Sequence, residues 1–261
     1  MCKLLKISRS NYYTYQEKLV KEDPITKHIK RIFRDSKSTY GTRRIKAELA
    51  LEGYRVSRRR IGRIMTENGL VSLYTVAQYK VHKASCNESK VSNELNRDFH
   101  GKNPLEAIVS DLTYVRVNSH WHYICTIMDL HNREIIGYSV GPNKDAQLVY
   151  KAFSSIKYDL SLIGLFHTDR GKEFINTQIE DLLSTFKIKR SLSNKGTPYD
   201  NAVAEANFKS LKFEFVYPNR FNSLEELESK LGAHIWWYNN KRLHSSLGFK
   251  SPVDYAQEFS R

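Results

Sequence analysis

Residues 107–117 read AIVSDLTYVRV, and two similar runs follow, HWHYICTIMDL at 120–130 and EIIGYSVGP at 134–142. All three are rich in β-branched and aromatic residues, with only short polar breaks between them. That spacing predicts an antiparallel meander of three strands. Downstream, DAQLVYKAFSSIK (145–157) gathers Leu148, Val149, Ala152, Phe153 and Ile156 on one helical side. A short apolar run, GLFHTD (164–169), a second helix-like stretch, FINTQIEDLLSTF (174–186), and KIKRSLS (187–193) complete the pattern. A three-strand meander followed by αβαβ predicts a mixed α/β sheet with helices on both faces.

Upstream the texture is helical. In YGTRRIKAELALEGYRVSRRRIGRIMTENGL (40–70), Ile45 and Leu49 give a short helix one apolar side, and Gly53 can end it. Ser57 is then a natural N-cap for a second helix carrying Ile61, Ile64 and Met65, closed by Gly69. Ile25, Ile29, Ile32 and Phe33 supply a third helix to cover the pair. Two short helices joined by a tight Gly-containing turn form a helix-turn-helix pattern. The second of them opens on Arg58, Arg59 and Arg60 and adds Arg63, with Arg43 and Arg44 on the helix before. These are the positions from which such a helix meets phosphates and guanine edges in the major groove, although a solvated basic face gives the same pattern.

Charge separates the two textures. The 261 residues carry a net charge of +14, of which residues 1–98 hold +12 and residues 99–261 only +2. A basic N-terminal third joined to a near-neutral remainder reads as a polyanion-binding module attached to something else. The three cysteines, Cys2, Cys86 and Cys125, have no paired spacing, which excludes a disulfide framework and suits a reducing, cytoplasmic setting. No apolar run approaches the roughly 20 residues that span a bilayer, so membrane and secreted readings are set aside.

Three acids stand out by position. Asp111 lies inside the first strand with apolar neighbours, Asp169 ends the GLFHTD strand, and Glu205 lies near the start of a helix in TPYDNAVAEANFKSLKFEF (197–215). An acid within an apolar strand carries a desolvation cost unless something compensates its charge, and a metal ion would do so. Open α/β sheets hold ligands beyond the carboxyl ends of their strands, which suits Asp169. The Glu205 helix is expected to start with Thr197 as N-cap and Pro198 at its first position. Ala204, Phe208, Leu211 and Phe215 would face the core, with Glu205, Lys209 and Lys212 on an adjacent stripe. Such a face can hold a divalent ion and a phosphodiester together. An ordinary solvated Glu–Lys pair is the plainer reading of that helix alone.

Fifty-seven residues separate Asp111 from Asp169, and thirty-five separate Asp169 from Glu205. On this order of strands and helices, the spacing resembles the catalytic core of the DDE transposases and retroviral-type integrases. It resembles most the family-three insertion-sequence transposases, specifically the product of their second reading frame. The matching pieces are KISRSNYY, YGTRRI with GLVS, SDLTYV, HTDRGKEF, GTPYDNAVAEANFKSLKFE and YNNKRLHSSLGFKSP, spread along nearly the whole chain.

The resemblance implies an RNase H-like core with Asp111, Asp169 and Glu205 as catalytic metal ligands, holding Mg²⁺ (Mn²⁺ as the alternative), two ions in all. Lys212 would contact DNA near the scissile phosphate, with Lys209 beside it. Arg242 and His244 fall in the terminal Y-N-x-x-R-x-H pattern, where a structural or DNA-facing role is expected. The implied partners are double-stranded DNA at element ends and target, a further copy of the chain on that DNA, and the upstream-frame product as fusion or partner. The expected organisation is a basic segment over 1–24, a helix-turn-helix-like domain over 25–75, a linker over 76–98 and the core over 99–261. Metal-dependent DNA cleavage and strand transfer is the leading reading, and a non-catalytic DNA-binding remnant of a decayed element is its rival. Of the remaining polar residues, Asp129 suits a turn and Asp200 a helix-dipole role, since it lies about 140° around a helix from Glu205. His120 and His122 share a strand face but have no third ligand nearby.

Overall fold

The computed structural model describes residues 2, 4, 8–10, 23–75, 91–194 and 197–259, in two compact units, Met1–Ala77 and Gln78–Arg261. The expected basic segment over 1–24 falls mostly outside the described residues.

In the first unit, α1 (Thr26–Asp35), α2 (Thr42–Leu51) and α3 (Arg58–Glu67) bury Ile29, Ile32, Phe33, Ile45, Leu49, Ile61, Ile64 and Met65 against one another. These are the apolar positions that the helical period selects. The α2–α3 turn works as its residues dictate. Gly53 adopts φ +86°, and the Tyr54 amide donates to Leu49 O at 2.7 Å, closing α2 with a left-handed residue that glycine adopts without strain. Ser57 Oγ then accepts from the Arg60 amide at 3.2 Å and caps α3.

In the second unit, β1 (Ala107–Val117), β2 (His120–Asp129) and β3 (Ile135–Gly141) form the expected meander. After α4 (Ala146–Ser154), β4 (Leu165–Thr168) pairs parallel to β1. After α5 (Thr177–Thr185), β5 (Lys189–Leu192) pairs parallel to β4, which gives the order β3-β2-β1-β4-β5. Then come α6 (Ala202–Leu211), α7 (Leu224–Asn240) and α8 (Pro252–Phe259). One core lies between the sheet and α6 with α7, around Val109, Val115, Ile124, Phe208 and Leu231. The other lies between the sheet and α4 with α5, around Ile108, Ile127, Phe153, Phe166 and Leu183. Among the described residues no helix is long and apolar enough to cross a membrane.

Three details correct the sequence reading. Of the linker expected over 76–98, residues 76–90 lie outside the described residues, whereas residues 91–98 pack on the second unit. Leu95 is buried there, and the Leu192 amide of the edge strand β5 donates to Ser92 O at 3.2 Å, so this segment covers an otherwise open sheet edge. The helix expected from Pro198 begins as a 3-10 turn (Pro198–Asn201), and Thr197 caps no backbone amide. Its hydroxyl instead donates to Asn194 O and to Asp200 Oδ2, at 2.7 and 3.0 Å. Finally, α6 stops at Leu211 and continues as a π-helical turn, Lys212–Val216. The wider turn lets consecutive residues Glu214 and Phe215 both face inward, Glu214 onto the buried Arg242 guanidinium at 2.7 Å.

Asp200 is a clamp rather than a helix-dipole charge. Its buried carboxylate takes Arg97 Nε at 2.6 Å, Asn93 Nδ2 at 2.9 Å and the Asn194 amide at 3.0 Å. Burial opposes its ionisation, but the bonds from Arg97, the Asn194 amide and Thr197 outweigh burial and hold the carboxyl well below its ordinary range. The lowered value makes Asp200 stabilising above the unfolded carboxyl range, with the benefit lost as pH falls through the folded value. Asp200→Asn is therefore expected to lower the melting temperature by several degrees near pH 7, with the gap to wild type narrowing as the pH drops below about 4. Thermal melts across pH check this, and a gap that does not change with pH would refute the clamp.

Candidate active site

Asp111 and Asp169 come together through the sheet's parallel junction. β1 and β4 pair through Ala107↔Leu165, Ile108↔Phe166 and Val109↔His167, where the ladder ends. Asp111 stands two residues further on in β1 and Asp169 two residues past His167, just beyond the end of β4, and neighbouring strands run about 4.8 Å apart. Both carboxylates are half-buried and held from the backbone. The Leu112 amide donates to Asp111 Oδ1 at 2.7 Å, and the Gly171 amide to Asp169 Oδ1 at 2.9 Å. Burial first, and then the negative charge of Asp169, push the Asp111 carboxyl up to about 7, with Glu205 adding to the push.

A counter-charge that favours ionised Asp111 comes from Lys144, 2.9 Å from the buried Glu173 carboxylate. Burial disfavours its charge, yet Glu173, Asp169 and Asp111 prevail and raise its pKa. Glu173 in turn lies against Gly171, where a Cβ would overlap its Oε1. A larger residue at Gly171 would drive the carboxylate off Lys144.

Glu205 sits in the first turn of α6, exposed, with burial raising its pKa. Its charge reaches Asp111, but its side chain is not closed on the aspartate pair. Among the described residues, no group of three His, Cys, Asp or Glu side chains stands in a metal-holding arrangement. The chemistry of the set suits a hard divalent cation: three carboxylate oxygen donors, with the Asp111 carboxyl pushed up by burial and by the charge of Asp169. His120 and His122 join no metal group either. Asp129 serves its turn, accepting the amides of Leu105 and His131, each at 3.0 Å.

Several residues that position the acids were not read from the sequence. Asn207 Nδ2 donates to Thr126 Oγ1 at 3.2 Å, and Thr126 lies opposite Asp111 in the β1–β2 register, so this buried bond fixes α6 beside the aspartate pair. His167 is fully buried two residues before Asp169. Its Nδ1 meets Ser191 Oγ at 2.8 Å and its Nε2 meets Asp200 O at 3.0 Å, which ties β4 to β5 and to the entry of α6. Burial lowers its pKa to about 4, so the ring is neutral. The one signal available in the sequence was a histidine inside an otherwise apolar strand.

The expected DNA-contacting residues divide. Arg58, Arg59 and Arg43 are exposed. Arg60 is turned back onto Asp23 by two bonds of 2.8 and 2.7 Å, and Arg63 lies 3.7 Å from both Asp23 and Glu67. Arg44 lies over the Tyr40 ring at 5.5 Å. Lys209 is exposed, and Lys212 Nζ stands 5.0 Å from the Tyr114 ring centre. Arg242 and His244 are buried together, the former bidentate to Glu214, so their role is structural.

The family follows from comparison with known proteins. Residues 21–78 match the HTH-like domain family, and residues 101–198 and 186–252 match two families of integrase core domain. The 31 kDa protein of insertion element IS600 from Shigella sonnei is 31% identical over 271 residues, covering 99% of this chain and 98% of that protein. The chain belongs to the insertion-sequence transposase family. The putative transposase InsK of element IS150 from Escherichia coli K12 is 29% identical over 260 residues, covering 97% of this chain and 91% of InsK. Among solved structures, the HTLV-2 integrase catalytic core in complex with magnesium is similar at TM-score 0.45 and 15% identity, over 58% of this chain and 96% of that one.

The raised pKa of Asp111 gives a stability signature. Above pH 7 both folded and unfolded Asp111 are ionised and the folded state bears the whole penalty; below the ordinary carboxyl value of 3.8 both are protonated and it vanishes. Asp111→Asn should therefore raise the melting temperature by about 3 °C or more at pH 8, with the gain shrinking toward pH 4. A gain independent of pH, or a loss at pH 8, would count against the repelling pair.

Proposed function

We propose that this transposase-family chain carries out metal-dependent DNA strand cleavage and strand transfer through Asp111, Asp169 and Glu205. The observation that supports it is the placing of Asp111 and Asp169 side by side beyond the end of a parallel strand pair, with the Asp111 carboxyl forced up to about 7. Stability alone would not favour two adjacent, half-desolvated carboxylates. Mg²⁺ or Mn²⁺, bound by the three carboxylates, would supply the positive charge that polarises the attacking oxygen and neutralises the leaving one.

The chain's own residues do the rest by positioning. The Leu112 and Gly171 amides hold one oxygen of each aspartate. Asn207 keeps α6 against β2, on the side from which the charge of Glu205 reaches Asp111. Lys209 and Lys212 follow Glu205 along the same helix and receive the phosphate backbone beside the reacting bond. Water attacks a phosphodiester at the element's end and releases a 3′-hydroxyl. That hydroxyl then attacks a target phosphodiester, joining the strands as the displaced 3′-oxygen leaves, with no covalent enzyme intermediate. Arg58, Arg59 and Arg43 hold the duplex through the helix-turn-helix unit, with a further copy of the chain and the upstream-frame product as partners.

The test is cleavage and joining of a labelled duplex bearing the element's own ends, using both the chain and its fusion to the upstream frame. Asp169→Asn and Glu205→Gln are each expected to reduce metal-dependent joining by at least about a hundredfold while leaving duplex affinity within about twofold. Binding without joining in either form would identify a DNA-binding remnant. Separately, Arg58→Ala with Arg59→Ala should weaken duplex binding and reduce the slope of log affinity against log salt by about one to two units. An unchanged slope places the phosphate contacts elsewhere.

A further inference from the structure

Beyond Asp111, β1 and β2 continue past the cover of α4 and α5 and present a second face. The register sets Arg116 opposite Trp121 and Tyr114 opposite Tyr123, so Tyr114, Arg116, Trp121 and Tyr123 share that face. Tyr114 and Trp121 meet edge to face, with ring centres 5.2 Å apart. They are 44% and 54% exposed, a large apolar outlay for open solvent. Arg116 lies 5.9 Å from the Trp121 ring centre and Lys212 Nζ 5.0 Å from that of Tyr114. Among the described residues neither cation stands in an ion pair. Tyr217, itself 55% exposed, lies near enough to Tyr114 for their hydroxyls to affect one another.

We propose that this face is a stacking platform for unpaired nucleotides of a DNA strand, with Arg116 and Lys212 on the flanking phosphates. Exposed aromatic rings interleaved with unpaired cations match the two parts of a nucleotide, a π-face and a phosphate. A duplex keeps its bases stacked on one another, so the face favours strand that has lost its pairing. The placing gives the platform a use. Tyr114 is three residues along the strand from Asp111, so the two side chains leave opposite faces of β1, and the link between them is Lys212, seven residues after Glu205, which reaches the Tyr114 ring. Resting on the active-site reading above, the inference is that nucleotides freed from pairing beside the reacting phosphodiester are held here, which keeps the end open while the strand is cut and joined.

The test uses the full chain and fluorescence anisotropy with three labelled probes of equal length: a single-stranded oligonucleotide, its abasic counterpart and a duplex. At matched salt the wild type is expected to bind the base-bearing strand roughly tenfold more tightly than the abasic one. Trp121→Ala and Tyr114→Ala should each reduce that ratio several-fold, and Trp121→Phe should retain it. Equal affinity for the two single strands, or a ratio unchanged in both alanine variants, overturns the proposal. So does a DNA-free sedimentation shift from dimer to monomer in Trp121→Ala with the ratio intact, which would make the face a self-association surface. Running Asp169→Asn in parallel separates the two readings. Joining that depends on Asp169 without any base preference removes the platform alone, and a base preference without any joining removes the active-site reading alone.

Discussion

Two carboxylates stand next to one another at the end of a parallel strand pair, and much of the second unit can be understood from that constraint. Asp111 and Asp169 continue a ladder that stops at Val109↔His167, so the sheet brings their charges together and the packing above and below takes water away. The local response is electrostatic. Amides from Leu112 and Gly171 hold one oxygen of each, and Lys144 is kept nearby by the buried Glu173. This response is incomplete, since the Asp111 carboxyl still lies near 7. A bound cation would relieve a repulsion of this kind.

The helix that carries Glu205 is fixed beside the sheet by a chain of buried polar contacts. His167 links β4 to β5 and to the backbone of Asp200; Asp200 gathers Arg97, Asn93 and Asn194; and Asn207 ties α6 to Thr126. Networks of this kind fix geometry more firmly than apolar packing alone, because each broken link strands a buried partner. At the far end of the helix, the π turn places Glu214 on Arg242, and Lys212 at its start lies over the Tyr114 ring.

The helix-turn-helix unit shows a different economy. Its arginines looked equivalent along the sequence, yet Asp23 takes Arg60 and draws in Arg63, while Arg44 lies over Tyr40. Arg58, Arg59 and Arg43 are left exposed. A basic run is thus partly fold and partly contact surface, and only the positions of the acids tell the two apart.

Local rules were enough for the alternation in AIVSDLTYVRV and its two successors, the glycine and serine signals around the α2–α3 turn, and the buried stripe of Ala204, Phe208, Leu211 and Phe215. Each depends on a period of two or 3.6 residues or on one residue's own backbone preference, so each is legible without knowing what lies across the fold. Composition alone likewise put the positive charge at the N-terminal end. The three acids were legible too, by spacing and family resemblance, though not their environment. Tertiary structure alone decided that β4 pairs beside β1 and so sets Asp111 against Asp169. It also decided that residues 91–98 cover the edge of β5, that Asp200 and Asn207 are clamps, that the helix widens after Leu211, and that Tyr114 and Trp121 face solvent together. These depend on partners far apart in sequence, where burial and charge are set by what the chain brings near rather than by the residues on either side.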